Sequence, residues 1–212
     1  MRSLVPLMSL AFALVSFPVS AGGLAYIEQS GGGNRAVQSQ TGGGSAEIRQ
    51  TGSGDYAIQT QTGANTASVM QNGSGNWASQ TQNGSNAAYI SQAGSGNRAT
   101  QMQDGAANYA LIRQSGGGNV AIAVQNGSGN RSETYQTGGG NYSSSLQQGS
   151  GNQFTSHQSG GERLIVDQIG NNNSFDSRQY DGSLGMTVRM AGNGLDIKVM
   201  QLPPAATAAP GK

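Results

Sequence analysis

Glutamine recurs along this chain at positions 29, 40, 50, 61, 71, 82, 92, 103, 114, 125, 136, 147, 158, 168, 179 and 201, with Met190 filling the one gap, and every step is ten or eleven residues. So constant a period admits only a repeat architecture. Most of these glutamines are followed by one residue and then Gly, and most are preceded six positions earlier by Asn. Each unit therefore reads as a glycine-rich turn and a six-residue run, the length and punctuation of a short β-strand.

Within the runs, alternate positions differ in kind. The residues four and two before each Gln, taken with the Gln, give Ala25-Ile27-Gln29, Ala36-Gln38-Gln40, Ala46-Ile48-Gln50, Ala57-Gln59-Gln61 and so on. A period of two places these three side chains on one strand face. None of the 17 runs carries Asp, Glu, Lys or Arg at any of the three positions, whereas Arg35, Glu47, Arg49, Arg98, Arg113, Glu133, Asp167 and Lys198 all fall on the other face. That segregation distinguishes an inside from an outside, which a solvated polar linker would not do. The middle inward residue alternates between Ile or Val and Gln from Ile27 to Ile112, so the true repeat is two strands. The fold class this predicts is all-β, a two-strand-per-rung β-solenoid of about eight rungs with two facing parallel sheets.

So thin an interior favours small Ala, one aliphatic residue and flat amides. A buried Gln must satisfy its donors and its acceptor, and an identical Gln one rung on, about 4.8 Å away, supplies both. The ladder residues are Gln29, Gln40, Gln50, Gln61, Gln71, Gln82, Gln92, Gln103, Gln114, Gln125, Gln136 and Gln147, with Asn34, Asn76, Asn97 and Asn119 stacked in the turns and Asn141 and Asn152, which also follow Gly, placed to stack likewise. The first and last rungs are left as open edges, which template a further chain unless covered. Asp55, Asp104 and Asp181, in or near turns, are candidate gatekeepers that slow such pairing.

Composition removes other classes. Hydrophobic residues are 34% and charged residues 10%, too few for an ordinary core and too few for a charge-expanded disordered chain. A net charge of +1 with the signs interspersed gives no footprint for nucleic acid. The chain has no cysteine, and His157 is its only histidine, on an outward position. No paired carboxylates or nucleophile and base converge, so the chain reads as no enzyme, with no catalytic residue, cofactor, metal or small-molecule substrate. Gly52-Ser53-Gly54-Asp55 is similar to a calcium β-roll motif, but that chemistry needs Asp in successive turns and only Asp55 holds the place. An ice-binding solenoid would need a regular outward Thr array, whereas Thr60, Thr81 and Thr100 are scattered among Arg, Met and Tyr. Trp77, Tyr26, Tyr56, Tyr89, Tyr109, Tyr135 and Tyr142 all fall on outward positions.

The ends have their own signatures. Met1 and Arg2 precede an apolar stretch from Leu4 to Val19, and Val19-Ser20-Ala21 places small residues at a cleavage site. Residues 1–21 are thus expected to be a secretory signal peptide, about 16 apolar residues being shorter than the roughly 20 of a spanning helix. Residues 22–202 form the repeat region. Residues 203–212 read as a disordered Pro- and Ala-rich tail, since Pro203, Pro204 and Pro210 cannot donate ladder hydrogen bonds. From Ser132 onward the inward set drifts toward Ser, Thr, Phe, Leu and Met, giving a different cross-section.

The segment Gln71-Asn72-Gly73-Ser74-Gly75-Asn76-Trp77-Ala78-Ser79-Gln80-Thr81-Gln82 resembles the curlin repeat, as do Gln29 to Gln40, Gln92 to Gln103 and Gln114 to Gln125. The likeness extends from Ala25 to about Gln179. Where the family repeat usually opens with Ser, this chain has Gly23, Gly44, Asn65, Asn86 and Asn108, and it has more rungs than familiar curlins. The resemblance implies a subunit of curli-like functional amyloid fibres (fimbriae) at the cell surface of a Gram-negative bacterium, secreted through the outer-membrane curli channel and serving adhesion and biofilm matrix. It implies as partners further copies of itself and a curli-type nucleator or major subunit, with assembly driven by the ladder Gln and Asn. The larger C-terminal inward residues leave open the nucleator role.

Overall fold

The six-residue runs form strands because each offers an apolar or amide face to one side and a mixed polar face to the other, and each is bounded by Gly and Asn. The computed structural model describes residues 12–16 and 23–202. Its strands are β1 (Phe12–Ser16), β2 (Leu24–Ser30), β3 (Arg35–Thr41), β4 (Ser45–Ser53), β5 (Tyr56–Gly63), β6 (Thr66–Ser74), β7 (Trp77–Ser95), β8 (Arg98–Gly117), β9 (Val120–Ser128), β10 (Arg131–Gly139), β11 (Tyr142–Ser150), β12 (Gln153–Ser159), β13 (Arg163–Ile169), β14 (Ser174–Tyr180), β15 (Met186–Ala191) and β16 (Asp196–Gln201). The strands β7 and β8 each run through a turn without a break, so each supplies a segment to both sheets.

The strands pair with the next but one, always parallel. Sheet one contains β2, β4, β6, the second halves of β7 and β8, β10, β12, β14 and β16. Sheet two contains β1, β3, β5, the first halves of β7 and β8, β9, β11, β13 and β15. The fold is therefore the expected two-strand β-solenoid of about eight rungs, with Gln registered on Gln through every pair from Gln29↔Gln50 to Gln158↔Gln179.

The inward assignment holds along the chain. Ala36, Ile48, Ala57, Val69, Ala78, Ile90, Ala99, Ala110, Ile112, Ala121 and Ala123 form one buried apolar cluster. A second cluster is built from Phe154, Leu164, Val166, Phe175 and Met190. Between them lies a rung of small polar side chains, in which the Ser132 and Ser145 hydroxyls meet at 2.9 Å. The change is a volume exchange: where Ala and Ile share a sheet-one strand in the early rungs, Phe154 with Ser156 and Phe175 with Ser177 do so later. The two Phe rings stack with centroids 5.9 Å apart and planes 7° from parallel.

At the N-terminal end, β1 lies against β3 with Ala13 beside Ala36 and Val15 beside Gln38. Part of the expected leader is thus an extended strand on the open edge of sheet two, the behaviour of an apolar segment beside an unfilled parallel ladder. The rest of the leader and the 203–212 tail lie outside the described residues.

The turns constrain sequence through backbone contact. At Gly73, φ is 144° and a Cβ would lie 1.8 Å from the Gly94 carbonyl oxygen, whereas at Gly75, with φ 64°, it would meet nothing within 4 Å. Gly73→Ala should therefore prevent the rungs from closing to their spacing and remove most of the cooperative unfolding transition. Gly75→Asn should cost no more than about 1 kcal/mol, because Asn tolerates the left-handed region. Denaturant titration of freshly purified protein separates the two, and equal midpoints would contradict the stacked-turn geometry.

Candidate self-assembly site: directional amide ladders

From Gln50 onward the ladder glutamines of the early and middle rungs use both amide hydrogens. Gln50 Nε2 donates along the axis to Gln71 Oε1 at 2.8 Å and across the interior to the Arg35 carbonyl at 3.1 Å. Gln71 repeats this with Gln92 and Tyr56, and Gln92 with Gln114 and Trp77. The cross-interior bond forms because the last inward Gln of one strand lies beside the first residues of the oppositely running facing strand, where the inward side chain is a small Ala. One amide thus ties neighbouring rungs and facing sheets together, and it does so in surroundings that exclude water.

In sheet one this ladder begins with Gln29 and runs through Gln50, Gln71, Gln92, Gln114, Gln136, Gln158 and Gln179 to Gln201. In sheet two it runs from Gln61 through Gln82, Gln103, Gln125 and Gln147 to Gln168, whose Nε2 meets Met190 Sδ at 3.8 Å. Met190 therefore ends the sheet-two ladder one rung early. Gln40 is in register with Gln61, but its amide is buried with neither atom hydrogen-bonded, so the first step of that ladder is unmade. A third ladder, Gln38–Gln59–Gln80–Gln101, occupies the middle inward position of sheet two and stops where Ala123 replaces Gln.

The Asn ladders stand at the turn preceding each strand. Before sheet two, Asn76 Oδ1 accepts from both the backbone N–H and Nδ2 of Asn97 at 3.1 Å, and the pattern continues to Asn119 and Asn141. Asn34 accepts from the Asp55 backbone N–H. Before sheet one, Asn65, Asn86, Asn108, Asn130, Asn152 and Asn173 form a second file. Apart from Asn152, the sequence does not single out this file or the Gln38 file as ladders, although both share the phase of residues that it does. The Gln and Asn files have opposite sense: Gln Nε2 donates toward higher residue numbers, whereas Asn Oδ1 accepts from them.

Two carboxylates interrupt the Asn file before sheet two. Asp55 is fully buried, and its Oδ1 accepts from the backbone and side chain of Asn76 at 2.8 and 3.0 Å. Its Oδ2 has no partner and stands where the repeat elsewhere holds an Nδ2 donor, which at Asn34 and Asn76 reaches Gly52 and Gly94 carbonyls. Burial pushes the Asp55 carboxyl above its ordinary value near 3.8, against the lowering effect of the two Asn76 bonds. Glu162 ends the file, with Oε2 accepting from the Ser159 N–H and Oε1 unpartnered, and burial raises its carboxyl likewise. Asp104 is exposed and accepts from Asn83 at 2.9 Å, and Asp181 is exposed beside Gly160.

Outside, aromatic and Arg side chains stack along the axis: Arg98 lies 4.2 Å from the Trp77 ring centroid, Arg35 5.2 Å from Tyr56 and Arg163 4.4 Å from Tyr142. His157 stacks on Tyr135 at 4.7 Å. Among the described residues no group of three or more His, Cys, Asp or Glu is placed to hold a metal, and no helix is long and apolar enough to cross a membrane.

The family model of the curlin-associated repeat matches residues 105–133, which span the second half of β8, all of β9 and the start of β10. That segment is similar to the curlin-associated repeat, and the rungs on either side repeat its ladder chemistry. No curated protein matches the chain.

A group whose carboxyl is raised on folding binds protons more readily folded than unfolded, so its stabilising contribution is greatest below the unfolded value and is lost as pH rises. Through Asp55 and Glu162 the solenoid should therefore be less stable at pH 7 than at pH 4. Asp55→Asn supplies the absent donor, and it should flatten that slope and raise stability at neutral pH by roughly 1–3 kcal/mol. Denaturant midpoints at the two pH values measure both effects, and an Asp55→Asn variant weaker than the parent at pH 7 would contradict the burial of this carboxyl in the ladder.

Proposed function

We propose that this curlin-repeat solenoid is the structural, non-enzymatic subunit of an extracellular amyloid fibre at a Gram-negative cell surface, exported with removal of residues 1–21 and polymerising through its open ends. The observation that carries this reading is the state of those ends. At the N-terminal end Gln38 and Gln40 hold Oε1 acceptors with no donor among the described residues. At the C-terminal end Gln201 is the last amide of a file in which every Nε2 donates forward. A further copy placed on either end continues the ladder with the chemistry that already joins the rungs. Secretion through a dedicated channel, adhesion and a matrix role follow from the likeness to curlins and belong to the same proposal.

The C-terminal rungs favour a second reading. Their Phe, Leu, Val and Met interior differs from the Ala, Ile and Gln interior of the earlier rungs. A subunit with two unlike cross-sections suits a nucleator that meets the bulk fibre at one end only.

The test is assembly of the chain from Gly22 onward. Fibres should form with diffraction spacings near 4.7 and 10 Å, as ~4.7 Å strand and ~10 Å sheet separations require. Gln50, Gln71 and Gln92 changed together to Lys should stop assembly, because three charges would stack about 4.8 Å apart in a dry interior. Ser39, Thr60 and Thr81 changed to Lys stack the same charges at the same spacing on the wet face, and this variant should assemble within a few-fold of the parent. Equal dye-binding kinetics for the two variants would remove the ladder as the driver.

A further inference from the structure

The first described strand after the leader, β2, and the last described strand, β16, both belong to sheet one. Two copies joined end to end without rotation would place β2 of one on β16 of the other, and would then leave a sheet-two position empty between β15 and β3. In the full chain β1 occupies that position on β3, and the proposed export form lacks it. The facing sheets run in opposite directions, so half a turn about the stacking axis brings sheet one of a new copy onto sheet two of the old one with strand direction kept. Then β2 stacks on β15, β3 stacks on β16, and no position is empty.

We infer that successive copies in the fibre are related by half a turn about its axis, each using the N-terminal edge of β2 and β3 against the C-terminal edge of β15 and β16 of its neighbour. This rests on the fibre reading above and goes beyond it in naming the joint. Three features of the ends fit. The β15–β16 turn and the β2–β3 turn have the same length, with Gly192 and Gly194 matching Gly31 and Gly33, all four at positive φ. Continuing the register places the exposed Arg189 beside the exposed Glu28 of the next copy, and the exposed Asp196 beside its exposed Arg35. It also brings Gln201 Nε2 to the unpartnered Oε1 of Gln40. Without rotation, Asp196 would meet Leu24, Lys198 would meet Tyr26 and Met200 would meet Glu28, and neither opposite-charge pair forms.

The chain has no cysteine, so engineered pairs report the joint directly. Neighbouring parallel strands hold Cα atoms about 4.8 Å apart, within the roughly 4.4–6.8 Å that a disulfide spans. In fibres of the Gly22–Lys212 chain, Tyr26→Cys with Thr187→Cys should oxidise to a reducible ladder of covalent multimers, and Tyr26→Cys with Lys198→Cys should remain monomeric when the fibres are dissolved. Covalent multimers in the second variant, or in neither variant although both form fibres, would overturn the half-turn joint. Fibres in neither variant nor the parent would instead overturn the polymer reading itself. As a second measure, Arg189→Glu should lengthen the lag of assembly several-fold and addition of Glu28→Arg should shorten it again. Equal lags for parent, single and double variants would also overturn the joint.

Discussion

Everything in this fold depends on the two hydrogens of a side-chain amide. A file of buried Gln residues costs free energy unless every donor and acceptor is met, and a solenoid meets them by placing the same residue one rung away. The second hydrogen then reaches a carbonyl of the opposite sheet, as from Gln50 to Arg35. A rung built this way needs little apolar volume, which is why a chain with so few large hydrophobic residues has an inside at all. The requirement for identity between rungs also fixes the register, since sliding a strand by one residue would bury the charged face.

The sequence made the inward face legible because charge and amide are segregated at a period of two, a signal strong enough to survive without any aligned relative. The register of Gln on Gln followed from the constant step. Donor direction, the bond across the interior and the unmade step at Gln40 were not legible, because they depend on torsions about the amide and not on spacing. The file Asn65 to Asn173 was visible as a phase but was read as a departure from the familiar repeat. Asp55 was marked as a turn acid. Its burial follows from its standing in the Asn file between Asn34 and Asn76, a position that periodicity also gave but that charge alone argued against.

The late rungs show how far the cross-section can change while the ladder persists. Phe154 and Phe175 take the place of Ala, Ser takes the place of Ile, and Gln158 and Gln179 stay where they were. Apart from Met190 in β15, the terminal inward Gln is thus the part of the rung that persists from β2 to β16, and the other two inward places trade volume. The polar rung of Ser132, Thr134, Ser143 and Ser145 separates two apolar clusters, and the Thr134 and Ser143 hydroxyls lack partners. It is the part of the interior where the least apolar surface holds the rungs together.

The opposed sense of the Gln and Asn files has an electrical consequence. Aligned amides sum to a macrodipole when they all point one way, as peptide units do in a helix. Here the Gln amides point their donors toward one end of the solenoid and their neighbours in the Asn files turn their acceptors toward that same end. The two contributions offset along the axis. Along the solenoid the side-chain amides therefore build up less end-to-end potential than files of a single sense would, and each tip presents the local chemistry of its edge rather than a field that grows with the number of rungs.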